Sequence, residues 1–286
     1  MKKTSFEGFM KGIFILCSTT SIISILLIVY FIFSGGVPFI MEYGLKNFLL
    51  GTKWKPTSTP PSFGILPMIV GSIYVTIGAV IIGVPIGVLT ATYLARFSNK
   101  KLYKFLKPCI NLMSGIPSIV YGFFALQVIV PIMKSLVGGT GMNIISASIL
   151  LGIMILPTII GLSESSIRAV PNEYYEGSVA LGASHERSVM SVLLPAAKSG
   201  IISSIILGIG RAIGETMAVI LVAGNQPRIP DSITQGVRTM TTNIVMEMAY
   251  AADTHREALI ATAVVLFVFI LIINAIFLIV KRRTLN

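Results

Sequence analysis

Residues 65–95 read ILPMIVGSIYVTIGAVIIGVPIGVLTATYLA, thirty-one positions without a charged side chain. A helix rises about 1.5 Å per residue and needs roughly 20 residues to cross a bilayer. This run exceeds that length, so it is predicted to tilt, to bend near Pro85 or to project beyond the lipid. Five further apolar runs, 13–33, 110–132, 143–162, 200–223 and 257–280, are each close to one bilayer thickness. A helix satisfies its own backbone donors and acceptors in hydrocarbon, which a lone extended segment cannot do. The expected fold class is therefore all-α, a polytopic membrane protein with six transmembrane helices.

The whole-chain composition agrees. Hydrophobic residues make up 54% of the 286 residues and charged residues 12%, with a mean hydropathy of +0.88. Soluble domains carry about a quarter charged residues. The net charge of +11 would suit nucleic acid only on a soluble basic face. Here the basic residues sit at the ends of apolar runs, which is the pattern of membrane orientation, so no nucleic-acid partner is expected. With the N-terminus inside, the cytoplasmic segments hold fourteen Lys and Arg residues: Lys2, Lys3, Lys11, Arg96, Lys100, Lys101, Lys104, Lys107, Arg168, Arg187, Lys198, Lys281, Arg282 and Arg283. The outer segments hold seven, and Arg211 falls inside an apolar run. This bias predicts both termini in the cytoplasm. The basic start precedes an apolar run longer than the roughly 7–15 residues of a signal peptide, so a retained first helix is expected. Cys17 and Cys109 make no disulfide framework and are expected to be buried apolar thiols. His185 and His255 lack metal-ligand spacing and are expected to be solvated loop residues; no metal site is predicted.

The loop 163–199 carries most of the remaining information. Asn172 is a candidate N-cap for a short helix over 173–181, with Glu173 in its first turn. Gly182 can end it in a left-handed cap. Ser184 can cap a second helix that runs to Leu194, before Pro195. Two short helices about a glycine turn would present a knob at the cytoplasmic rim, to which a partner can dock. No G-x-x-x-x-G-K-S/T pattern occurs in the chain, so no phosphate-cradling loop for ATP is predicted here.

Two membrane segments hold unusual residues. The fifth run contains GIGRAIGETMAV, 208–219. Arg211 and Glu215, four apart on a helix, would share a face and can pair. Gly210 and Gly214 adjoin that face and would admit a close neighbour. Arg211 either meets an anion in a pathway, with Glu215 neutralising it between events, or forms a packing ion pair; the residues alone leave both open. The third run contains Ser114, Gly115, Pro117 and Ser118. Pro117 lacks an amide donor and disturbs the carbonyl four residues earlier, that of Met113. A broken membrane helix is tolerated where it is buried or lines a wet cavity. The segment 114–118 is thus either part of a pathway or a packing kink.

These residues carry a resemblance. Permeases of bacterial ABC importers have a loop written E-A-A, three residues, Gly, nine residues, I-x-L-P. This chain has Glu176-Gly177-Ser178, three residues, Gly182, nine residues, then Val192-Leu193-Leu194-Pro195. The spacing is kept, and Gly177, Ser178 and Val192 are the departures. The stretch GRAIGETMAV with Gly224-Asn225, the stretch VRTMTTNI at 237–244, Glu247-Met248-Ala249 and SGIPSIVYG at 114–122 resemble the PstC-type phosphate permeases. The similarity covers most of 65–283.

The resemblance implies the type I importer permease architecture. It divides the chain into an N-terminal helix and outer loop, 1–64, and a transmembrane domain, 65–283, with the coupling loop 163–199. Glu176, Gly177, Ser178, Gly182, Leu194 and Pro195 would couple to a separate ATPase. Arg211, Glu215, Thr216, Arg238, Ser114, Gly115, Pro117 and Ser118 would line the substrate pathway, with Arg238 drawing an anion to the outer mouth or docking a binding protein. The implied partners are a second permease (PstA type), two ATPase subunits (PstB type), an extracytoplasmic phosphate-binding protein (PstS type) and membrane lipid. The chain itself would be a transport subunit, not an enzyme, and hold no cofactor, since the partner ATPase uses the ATP. It would sit in a bacterial or archaeal plasma membrane. Two other readings stay open: a permease for another oxyanion such as sulfate or molybdate, and a membrane scaffold that reports phosphate status. A membrane enzyme is disfavoured, because no catalytic constellation is apparent.

Overall fold

The structure, a computed structural model, describes residues 2–285, with side-chain surroundings given for residues 7–279. The side chains of Lys2, Lys3, Lys281, Arg282 and Arg283, counted above for orientation, lie outside those described. The chain begins with α1 (Lys2–Tyr43) and α2 (Leu45–Leu50). A small antiparallel pair follows, β1 (Trp54–Lys55) and β2 (Ser62–Phe63), with Trp54 opposite Phe63. Then come α3 (Leu66–Thr92), continued by a π-helical turn Tyr93–Phe97, α4 (Lys100–Gly115), α5 (Ser118–Gln127), α6 (Ile129–Val137) and α7 (Ile144–Arg168). The loop 163–199 holds α8 (Asn172–Ala180), α9 (His185–Ser188), a π-helical stretch Val189–Leu193 and α10 (Leu194–Ala196). The last elements are α11 (Lys198–Gly214), α12 (Met217–Val222), α13 (Met240–Met248) and α14 (Asp253–Leu285).

Among the described residues, five helical segments are long and apolar enough to cross a membrane: Glu7–Tyr43, Leu66–Phe97, Ser118–Val137, Ile144–Arg168 and Asp253–Ile279. The fifth apolar run of the sequence, 200–223, is divided. α11 is 17 residues long, and α12 resumes after Glu215 and Thr216. At its other end α11 turns by 69° from the helical segment His185–Ala196. α3 passes through Pro85 without ending, and the π-helical turn extends it to a continuous span of 32 residues, Leu66–Phe97.

The core is built around α7, which is buried along most of its length. It packs most closely on α3. A Cβ on Gly83 would come within 2.7 Å of the Ile155 side chain, so the bare glycine is what allows that approach. A second, outer cluster joins Phe39, Phe48, Trp54 and Phe63 to Met240 and Leu259. A third, at the other end, joins Leu94, Ile167, Val189 and Leu193. The remaining large apolar side chains point outward, including Phe14, Leu26, Ile81, Leu89 and Ile272. A surface this apolar is stable against lipid and not against water.

Two expectations need correction. Cys17 and Cys109 are free as expected but exposed, not buried. Cys17 lies in a stretch of α1, residues 11–28, whose side chains are all exposed. The third run is also not one helix. α4 ends at Gly115, Ile116 is extended with ψ 127°, and α5 starts beyond Pro117. The ring of Pro117 and its missing amide account for the break.

Candidate functional site

The hairpin over 171–195 forms from the residues that predicted it. Gly182 has φ +87°, a backbone conformation that glycine adopts without strain. Ser184 caps α9, its Oγ accepting the Arg187 amide at 3.3 Å. The first helix starts one residue earlier than expected: Pro171 occupies the cap position and Asn172 is helical. Pro171 fits there because its fixed φ suits the helix start. Glu176 and Gly177 are exposed on α8, and Leu194 and Pro195 open α10. Ser178 bonds Ser188 across the hairpin, oxygen to oxygen 3.0 Å. Leu181 stands 91% exposed at the tip, an apolar side chain that water does not favour and a docked partner would cover.

His185 is not the solvated residue expected from the sequence. Its Nδ1 lies 2.9 Å from the Tyr175 hydroxyl and its Nε2 lies 3.2 Å from the Arg96 carbonyl. Its ring also meets Phe97 edge-on at 4.9 Å. The hairpin is thereby seated on the end of α3. Beside this seat Glu164, 1% exposed, accepts from Lys107 of α4 and from Arg168 at 2.6 Å. Arg168 also donates to the Leu94 carbonyl at 2.7 Å and stacks over Tyr103. Glu164 was not singled out in the sequence, although its spacing to Arg168 is that of a helical ion pair.

The membrane segments hold two broken helices side by side. At the first break, the orphaned Met113 carbonyl accepts the Tyr121 hydroxyl at 2.7 Å, which supplies the donor that Pro117 lacks. Ser114 donates to the Asn111 carbonyl, and nothing in the chain lies within 4 Å of a Cβ built on Gly115. Ser118 is the first residue of α5. At the second break, Glu215 is extended with ψ 135°. Its carboxylate accepts the Ala218 amide at 3.1 Å, and its carbonyl accepts the Thr241 hydroxyl at 3.0 Å. Thr216 turns back onto the Gly214 carbonyl. Gly122 of α5 faces Ala218 of α12, 2.8 Å from a Cβ built there. The first break lies about one and a half helical turns from that contact and the second within one turn.

The second break separates Arg211 from Glu215. They do not share a helical face, because α11 ends between them at Gly214. Arg211 instead donates to Thr158 Oγ1 at 3.3 Å, and among the described residues it makes no ion pair. It lines a cavity of about 510 Å³ with Thr158, Ser203, Gly210 and Asn274. A Cβ on Gly210 or Gly214 would meet nothing within 4 Å, so no helix of this chain fills the approach they allow.

Arg238 lies in a separate cluster at the opposite end from the hairpin. Its Nε donates to the Asn225 carbonyl at 3.1 Å and its Nη1 to Asn243 at 3.0 Å and to Glu247. Glu247, 6% exposed, also accepts from Trp54 Nε1 and binds His255 Nε2, both at 2.8 Å. His255 is thus held in a network, whereas the sequence suggested a solvated residue.

With this geometry in place, the known proteins most similar to the chain can be compared. A family model described as binding-protein-dependent transport system inner membrane component matches residues 83–286. The probable ABC transporter permease YqgH of Bacillus subtilis is 37% identical over 235 residues, 80% of this chain and 76% of its own length. The phosphate transport system permease PstC of Xylella fastidiosa is 31% identical over 242 residues, 78% of this chain and 74% of its own. A probable PstC of Methanocaldococcus jannaschii is 31% identical over 271 residues, covering 87% and 85%. Among solved structures, a bacterial alginate ABC transporter superposes with a TM-score of 0.67 at 15% identity, over 92% of this chain and 91% of that one. The MetNI methionine ABC transporter superposes with a TM-score of 0.59 at 20% identity, over 77% and 94%. At such identities the solved structures establish a common fold.

Proposed function

The chain belongs to the family of binding-protein-dependent transport system inner membrane components, and on that premise we propose that it is the translocating permease of an ATP-driven phosphate importer. The observation that carries the phosphate reading is Arg211. Its guanidinium lies within the membrane domain, is held by a neutral hydroxyl and has no carboxylate partner among the described residues. A charge at that depth is costly unless something compensates it, and such residues are as a rule functional. A passing oxyanion matches the planar fork of the guanidinium. The relatives named for phosphate transport support the same cargo.

The chain's own residues then divide the work. Arg211 compensates the anion while bulk water is excluded. Glu215, turned to the Ala218 amide, leaves that charge available. The breaks at Pro117 and at Glu215–Thr216 allow the half-helices to shift against the rest of each span during alternating access. The hairpin about Gly182 presents Glu176, Gly177 and Leu181 to an ATPase subunit and passes its motion to α3 and α7 through the His185 seat. The partners would be a second permease, two ATPase subunits that bind and hydrolyse the ATP, and an extracytoplasmic phosphate-binding protein. Both termini would be cytoplasmic, in the plasma membrane of a bacterium or archaeon.

The substrate is tested by uptake of labelled phosphate into vesicles holding the assembled importer, with sulfate and molybdate in excess as competitors. ATP-dependent uptake that requires this chain and ignores both competitors is the expected result. Uptake suppressed by sulfate or molybdate would assign another oxyanion.

A further inference from the structure

We infer that the route of the anion continues from Arg211 along the adjoining cavity toward the hairpin end of the molecule, and that Asn274 of α14 is a contact on that route. The inference rests on the anion-permease reading above and adds a residue to it.

Residues 263–280 read AVVLFVFILIINAIFLIV, in which Asn274 is the one polar side chain. The nearest preceding polar residue on that helix, Thr262, satisfies itself on the Ala258 carbonyl. Asn274 makes no hydrogen bond among the described residues. An amide facing hydrocarbon loses its water partners with nothing in return. The amide lies instead on the cavity of about 510 Å³ that also holds Arg211, Thr158 and Ser203. Three different helices, α7, α11 and α14, thus border one open groove of an apolar domain with polar groups. That space is large enough for an oxyanion with several waters, at about 30 Å³ per water.

The arrangement has a direction. Arg211 and Ser203 are eight residues apart on α11, about 12 Å along its axis. Ser203 lies on the side of Lys198, where the hairpin joins. The cavity therefore runs from Arg211 toward the cytoplasmic hairpin. Its chemistry is selective as well. A guanidinium, the Thr158 hydroxyl and an amide can donate to anion oxygens, the Ser203 hydroxyl being given to the Ser199 carbonyl at 2.8 Å, and no carboxylate lines the space. A cation route would want the opposite set. A second cavity, of about 360 Å³ between α3, α11 and α14, offers only Thr76 among apolar side chains and has no such donors.

The test uses the complete importer in proteoliposomes, in a background with Cys17→Ser and Cys109→Ser. Asn274→Cys is exposed to a water-soluble, negatively charged thiosulfonate. The introduced thiol is expected to react, uptake to fall at least fivefold on reaction, and phosphate to slow the reaction. Asn274→Leu, which keeps a membrane-compatible helix, is expected to raise the KM for phosphate at least fivefold with ATPase assembly unchanged. A thiol that ignores the charged reagent but reacts with a lipid-soluble maleimide faces lipid and overturns the inference, as does an unchanged KM in Asn274→Leu. Should the unmodified importer move no phosphate, the phosphate reading fails separately, and labelling of the thiol still decides whether the cavity is a water route.

Discussion

Glu247 receives three donors at once, from Trp54 of the outer loop, Arg238 ahead of α13 and His255 at the start of α14. One carboxylate thereby fastens three parts of the chain that are far apart in sequence. Removing it strands the Arg238 guanidinium in a largely buried place. Glu247→Ala is expected to destabilise the protein by about 3–5 kcal/mol, as loss of one partner from a buried pair does, and thermal unfolding in detergent would show a lowered midpoint. A midpoint equal to wild type would mean that water replaces the carboxylate without loss. Tyr121 makes a smaller contribution. Without its hydroxyl, the Met113 carbonyl keeps only the Ile116 amide at 3.4 Å. Tyr121→Phe is expected to cost about 1–3 kcal/mol by the same measurement, and a neutral effect would indicate that the break is held by packing alone. Both residues illustrate why single side chains were less legible in the sequence than the spans. The loss of a donor at Pro117 was readable from the proline, but the identity of its replacement depends on a turn of α5 that no spacing rule specifies. His185 and His255 looked solvated because each sits in a polar loop, and only tertiary packing brings Tyr175, Phe97, Trp54 and Glu247 to them.

At the scale of elements, the hairpin 171–195 was legible almost throughout, because each of its features is local. A glycine at φ +87° and a serine cap act within a few residues of one another, whereas Pro195 does not stop the second helix as expected, for the helical segment runs on to Ala196 with the proline in the first turn of α10. Gly182→Ala places a Cβ in the left-handed region at a cost of about 1–2 kcal/mol. It is expected to reduce the amount of ATPase subunit that co-purifies and to lower ATP-driven uptake. Full retention of both would separate the hairpin from coupling. Gly177→Ala is the matched control, since nothing in the chain lies within 4 Å of the new Cβ and helix propensity favours alanine by about 1 kcal/mol. Its effect on co-purification therefore reports the ATPase surface and not this fold. The fifth span behaved differently. Helical spacing suggested that Arg211 and Glu215 would pair, yet the apolar run conceals a break. The carboxylate of Glu215 satisfies the first turn of α12, and Thr241 from a distant segment satisfies its carbonyl. Non-local partners of that kind are invisible to periodicity.

On the proposed function, the whole molecule joins these elements into one path of force and one path of charge. His185 and the Glu164 cluster tie the hairpin and its neighbouring helix ends to α3, α4 and α7. The first break ends α4 and the Arg211 cavity is lined in part by α7, so each touches a helix of that set. The spans themselves were legible from hydropathy, because lipid demands long apolar helices wherever the chain crosses. The cavity was not, because it needs three helices in register. The central claim is that an anion passes Arg211 during ATP-driven uptake. The most direct test compares labelled phosphate uptake by the reconstituted importer carrying wild-type chain or Arg211→Gln, with subunit assembly monitored in both. The account predicts an intact assembly whose uptake falls to background in Arg211→Gln. Uptake at the wild-type rate from that variant would contradict it and return Arg211 to a role in packing.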